Sequence, residues 1–207
     1  MKWTFILLFL VALTCVGKES VLQSGDLLFV AEGQSDFSNA ISESTRSDSL
    51  SFVHVAMVYV NDCNVNVIEA APENGVTIRP LDEFLASCPT VESKPAVVAK
   101  RLDVDYPVMD AISNALSHLG EPYDWYFMPD NGRMYCSELI FESYLTSVGE
   151  HIFNTVPMNF KTSDGSIPAF WLELFTTLGI DVPQGIPGTN PNQISKDNRL
   201  IEIIRFF

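Results

Sequence analysis

The sequence predicts an α+β fold in which an antiparallel sheet packs against helices, and three observations predict it. Two apolar runs, 52–60 and 65–71, are joined by Asn61-Asp62-Cys63-Asn64, a strong turn signal that makes them a β-hairpin. From Tyr106 the apolar period lengthens to helical spacing, and it stays helical through the middle of the chain. The final run, RLIEIIRFF, predicts a returning strand. Strands, then helices, then one strand is the order expected when helices segregate to a face of an antiparallel sheet.

Taken in order, the chain opens with Lys2 and a strongly apolar run from Trp3 to Leu13, followed by Cys15 and Gly17 as small residues at a cleavage point. Residues 1–17 therefore read as a secretory signal, and the run is shorter than the roughly 20 residues a membrane span needs. The expected product is secreted, periplasmic or in the cell envelope, without a permanent span; lipid attachment at Cys15 is the minority alternative. Residues 18–207 form one domain. Gly25–Ala31 reads as a buried strand, and 32–51 as a surface loop in which Phe37, Ala40 and Ile41 are spaced for one short helical turn. After the hairpin, Glu73-Asn74-Gly75 is a turn, 76–80 a short strand, 81–86 a short helix and 96–104 another strand. Pro107 starts a helix that Gly120 stops. An aromatic loop, 121–135, leads into a second helix that shows Cys136, Leu139, Ile140 and Ser143 on one face. Residues 154–168 read as a loop, 169–179 as a short apolar helix, and 182–193 as a loop punctuated by proline and glycine.

The 190 residues left after the signal are enough for a full hydrophobic core, and 47% apolar with 18% charged residues is ordinary globular composition. Twelve basic against 26 acidic residues give a formal charge of −14. Such a surface repels phosphate backbones, so nucleic acid is not an expected partner. Cys15 apart, three cysteines remain, an odd number for an exported chain. Cys63 and Cys88 both lie in loop contexts, where a disulfide and two separate thiols are equally compatible with the sequence. Cys136 is set apart by context.

The hairpin raises a question of its own, because His54 and Glu69 sit inside otherwise apolar strands. If Val60 pairs with Val65, His54 faces Ala71 and Ala56 faces Glu69. The imidazole and carboxylate are then diagonal neighbours on one face, roughly 7–8 Å apart at the backbone, and their side chains can meet. A slip of one residue would separate them. Burying an ionised glutamate without a partner costs several kcal/mol, so a pair is expected; a structural ion pair satisfies this as well as a catalytic one. Cys136 heads a helix, where free N–H groups and the macrodipole stabilise a thiolate. Docked together, the three residues make a nucleophile, a base and an orienting acid, whereas Cys136 alone is equally a small buried hydrophobe. Asp26 and Asp124 read as capping or turn-forming residues. His118 in a last helical turn and His151 in a loop read as surface residues, and no ligand spacing for a metal is present.

GDLLF, then SFVHVAMVYV with VIEA, then GEPYDW and YCSELIFESY, resemble the NlpC/P60 superfamily of papain-like cysteine hydrolases with the parts reordered. The cysteine helix follows the histidine strand, as in the circularly permuted YiiX/YaeF-like amidases, whose relatives include the lecithin:retinol acyltransferase group. The likeness runs from Gly25 through Tyr144 and, more loosely, to the C-terminal strand. Ala56 stands where such sequences often show glycine. The resemblance implies a permuted papain-like fold with Cys136 as nucleophile, His54 as base and Glu69 as third member, and no cofactor. The backbone N–H of Cys136 supplies one oxyanion donor; Tyr123 and Tyr135 are candidates for a second, with Tyr123 preferred. The expected activity is cleavage of an amide through a thioester, the substrate being a cell-wall peptide or an N-acyl, lipid-like amide. Thiol acyl transfer and non-catalytic binding of peptide or lipid are the alternatives. Trp125, Tyr126, Phe127 and Phe160 suit either an apolar substrate portion or core packing.

Overall fold

The computed structural model describes residues 21–46, 50–62 and 64–207. The signal sequence expected over 1–17 and Cys63 of the hairpin turn lie outside the described residues.

Six strands form one antiparallel sheet: β1 (Leu27–Ala31), β2 (Phe52–Asn61), β3 (Asn64–Ala71), β4 (Gly75–Pro80), β7 (Val97–Leu102) and β10 (Leu200–Arg205). Their order is β10-β7-β1-β2-β3-β4. Two-residue ribbons complete the strands, β5 (Thr90–Val91) with β6 (Lys94–Pro95) and β8 (Val156–Pro157) with β9 (Pro187–Gly188). The helices are α1 (Asp36–Thr45), α2 (Leu81–Ser87), α3 (Val108–Ser117), α4 (Cys136–Ser143), α5 (Ala169–Leu178) and α6 (Pro191–Ser195).

Strand alternation divides the core into two layers. Leu27, Phe29, Val55, Met57, Ile68 and Val98 point toward a large cluster that includes Ile112, Leu139, Tyr144 and Trp171. Leu28, Val30, Ala56, Val58, Val67 and Val97 point the other way, onto Leu81 and Phe84 of α2 and onto Phe206. The sheet is thus covered on both faces, as the apolar character of both sides of the hairpin predicts.

Two segments read as loops are helical. α1 is a ten-residue helix where one turn was expected. Its serines are the reason, because they satisfy backbone and side-chain donors inside the fold. Ser35 caps the helix by accepting from the Ser38 N–H at 3.1 Å, Ser38 Oγ accepts from Gly33 N–H at 2.7 Å, and Ser44 Oγ accepts from Trp171 Nε1 at 3.2 Å. A serine-rich helix therefore packs against α5 with its polar groups paired. In α6, Asn190 caps by accepting from Gln193 N–H at 2.8 Å, with Pro191 in the first turn. Asn192 then accepts from Phe52 N–H at 2.7 Å and donates to Thr45 Oγ1 at 2.8 Å, tying the start of β2 to the end of α1.

Candidate active site

The hairpin register is the one expected: Val60 pairs with Val65 and Met57 with Ile68. The ladder between β2 and β3 stops at Met57–Ile68, however, while β2 continues against β1 and β3 continues against β4. The two strand ends thus part where His54 and Glu69 sit, and α4 packs against both strands. The diagonal contact is made across this open seam, not across a closed ladder.

In the seam, His54 Nε2 lies 2.6 Å from Glu69 Oε2. Cys136 lies near enough to His54 to raise, together with Glu69, the hold of the imidazole on its proton. Cys136 is the first residue of α4, behind an extended Tyr135. Glu138, three residues into the helix, accepts from the Tyr135 N–H at 3.3 Å, which holds the chain as it enters. The Cys136 N–H belongs to the first turn, whose donors have no partner within the helix. Cys136 and Glu69 thus both act on the same imidazole.

Burial alone would push the His54 imidazolium toward losing its proton. Hydrogen bonds to Cys136 and Glu69, and their charges, outweigh this and raise it from 6.5 to about 10. Burial likewise opposes charge on Glu69, but the contacts with His54 and Arg79 hold its carboxyl below the usual range. Burial pushes the neighbouring Glu138 up to about 8.

Arg79 is a member of this constellation that inspection of the hairpin alone misses. Its Nε donates to Glu69 Oε1 at 2.5 Å, its other nitrogen donates to Ser87 Oγ at 3.0 Å, and its guanidinium lies 5.0 Å from the centre of the Phe84 ring. The signal was available: Glu69 pairs with Thr77 across the next turn, so Arg79 is its diagonal neighbour by the same reasoning that found His54.

Tyr123 reaches the site because the aromatic loop is pinched at its base. Asp124 N–H donates to the Met134 carbonyl and Met134 N–H to the Pro122 carbonyl, each at 3.1 Å, bringing Tyr123 beside the entry to α4. Asp124 is the turn-forming residue expected, its carboxylate accepting from Tyr126 and Met128 N–H groups at 2.9 Å each. Burial, and then the charges of Cys136 and other neighbours, hold the Tyr123 phenol well above its usual value, so it stays protonated. Tyr135 is occupied elsewhere, its hydroxyl accepting from Thr189 N–H at 3.1 Å.

Asp26, His118 and His151 have partners outside this constellation. Asp26, wholly buried, binds Arg101 at 2.6 and 2.8 Å and accepts from Gln23 N–H. His118 lies 3.0 Å from Glu121, and His151 lies 3.2 Å from Glu142 while stacking on Phe141. Cys88 is a free thiol, and Cys63, the other half of the possible pair, lies outside the described residues. Two cavities meet at the site. A cleft of about 760 Å³ opens over His54, bordered by Glu32, Phe37, Arg79, Phe84 and Tyr123. A pocket of about 50 Å³ opens beside Cys136, bordered by Phe127, Met158, Phe160 and Trp171.

A helix-borne cysteine meeting a histidine from a facing sheet is the layout of a papain-like amidase, here with the cysteine helix after the histidine strand. The chain belongs to the permuted papain-like amidase enzymes of the YaeF/YiiX, C92 family, whose family model matches residues 21–204. It is 27% identical over 164 residues to the uncharacterized protein YiiX of Escherichia coli K12, covering 78% of this chain and 75% of that protein. A crystal structure of YiiX from Escherichia coli O157:H7, described as a metalloprotein, superposes with a TM-score of 0.71 at 25% identity, covering 88% of this chain and 97% of the other. Among the described residues no cluster of three or more His, Cys, Asp or Glu side chains is arranged to hold a metal ion. At the site itself the Glu69 oxygens are engaged by His54 and Arg79, so this donor set does not fit one.

Proposed function

We propose that the protein is a cysteine amidohydrolase in which Cys136 is the nucleophile, His54 the base and Glu69 the group that orients the imidazole. The observation carrying this reading is the 2.6 Å contact of the His54 ring with Glu69 beside Cys136 at the head of α4, with both neighbours favouring the protonated ring. An imidazolium beside a cysteine stabilises its thiolate.

In the reaction, the thiolate attacks the amide carbonyl carbon and its C–O π pair moves onto oxygen. The oxyanion accepts from the Cys136 N–H and from the Tyr123 hydroxyl, and each such donor is worth roughly 3–4 kcal/mol. As the C–N bond breaks, the amine departs with the proton from His54, leaving a thioester on Cys136. Neutral His54 then takes a proton from water, the hydroxide attacks the thioester, and the acid leaves as the thiolate re-forms. Glu69 holds the imidazole throughout, and Arg79 is a positioning residue for Glu69. The substrate class is an amide of a cell-envelope peptide or of an N-acylated amine, met after export.

The test compares cell-envelope extracts incubated with wild-type protein and with Cys136→Ala by untargeted mass spectrometry. A paired acid and amine that appear only with the wild type are expected. Identical product sets, together with Cys136 alkylation by iodoacetamide no faster than that of a simple thiol, would leave a binding module. An acylated product formed when an amine or alcohol is added would assign acyl transfer.

A further inference from the structure

The two cavities differ in kind, and the reacting pair divides them. His54 borders the broad cleft but not the small pocket; Cys136 borders the small pocket but not the cleft. Ile41, Val53 and Tyr123 border both and form the neck between them. In the reaction above, the acyl group remains bonded to sulfur while the amine leaves with the proton of His54. The acyl side therefore belongs to the pocket and the amine side to the cleft.

The pocket is small. A water needs about 10–15 Å³ of such space, so a pocket of about 50 Å³ has room for roughly three to five non-hydrogen atoms. Its surface is mainly apolar, and its aromatic side chains are packed against one another. Phe160 and Phe127 meet Trp171 edge-on at 5.1 and 5.5 Å, and Phe127 itself is held at φ 53, a conformation rare for an aromatic residue. The Trp171 indole N–H is satisfied by Ser44 Oγ and the Ala40 carbonyl. A buried wall without slack does not part for a long chain. Ser137 Oγ, fully buried, has no hydrogen-bond partner, and its residue borders the pocket.

We propose that this pocket is the acyl subsite and that it selects a short acyl group of about two to five carbons, plain or of alanyl size, while the larger and more polar part of the substrate lies on the amine side in the cleft. The inference rests on the catalytic reading of Cys136 and narrows it, separating small acyl or aminoacyl donors from long-chain lipid amides.

The test acylates the full protein with p-nitrophenyl acetate, butyrate, octanoate and palmitate below their aggregation limits. Acyl-Cys136 is followed by intact mass and peptide mapping. Butyrate is expected to react at least tenfold faster than octanoate, with no palmitoyl adduct, since one misfitting methylene in an apolar pocket already costs about tenfold or more. Met158→Ala, which removes a wall side chain at the rim, should move the optimum to longer chains. Ile41→Trp, which fills the neck, should bring butyrate below acetate. Circular dichroism confirms that both variants fold, and because they push in opposite directions each checks the other. Octanoate or palmitate reacting as fast as butyrate, or an optimum unmoved in both variants, overturns the acyl subsite while leaving Cys136 as nucleophile. No adduct from any ester overturns the catalytic reading and the subsite together.

Discussion

Glu69→Gln removes a charge from the end of the site while keeping its shape, and its effect can be worked out from the contacts of His54. In the wild type, the thiol and carboxylate partners outweigh burial and raise His54 from 6.5 to about 10. A single opposite charge in contact is worth about 1–3 pH units. Without the Glu69 charge, the His54 step therefore moves from about pH 10 to between roughly 7 and 9. The assay is the rate of Cys136 alkylation by iodoacetamide from pH 5 to 11. Burial pushes the Cys88 thiol up to about 12, so it stays protonated through most of that range, and peptide mapping separates the sites. The wild type should show an alkaline step near pH 10, where the imidazolium loses its proton. In Glu69→Gln that step moves down. Stability follows the same sign: His54, raised in the folded state, stabilises fully below about pH 6.5, and this contribution is lost as pH climbs through about 10. The variant should lose it over a narrower and lower window. An alkaline step that stays near pH 10 in Glu69→Gln refutes the reasoning, because the imidazolium would then owe its proton to Cys136 alone.

Tyr123→Phe keeps the ring packed against Trp125 and Phe37 but deletes the hydroxyl; acylation of Cys136 should fall about 10²–10³-fold with binding little changed, and a fall below threefold would reduce Tyr123 to packing. Arg79→Met should release one oxygen of Glu69 and cost about 1–3 kcal/mol in urea unfolding, with a lower alkaline step in the alkylation profile; an unchanged profile would make Arg79 purely structural. Gly75 sits at φ 63, and an added Cβ would lie 2.1 Å from the Glu121 carbonyl oxygen. Gly75→Ala should therefore unfold at lower denaturant by more than about 1 kcal/mol, and a neutral result would show that the β4 turn and the 120–122 segment yield to each other.

Residue order alone carried much of this protein. The turn at 61–64 specified the register, and the register placed His54 and Glu69 on one side of the hairpin, because side-chain direction in a strand has a period of two. The apolar period placed α3, α4 and α5, and put Cys136 at the head of its helix. These are local properties, set within a few residues. The serines of α1 misled for a physical reason, since a serine favours a loop unless a fold supplies partners such as the Trp171 indole, which lies more than a hundred positions away. Other features existed only once distant segments met. The parting of β2 from β3 depends on α4 packing against both, and the anchoring of Glu69 depends on Arg79 from a third strand. The two cavities beside His54 and Cys136 depend on α1, α5 and the 123–135 loop converging. Hydrophobic burial is nearly indifferent to which apolar surfaces meet, so such convergence follows from the packing of the whole domain and has no signature in any single stretch of residues.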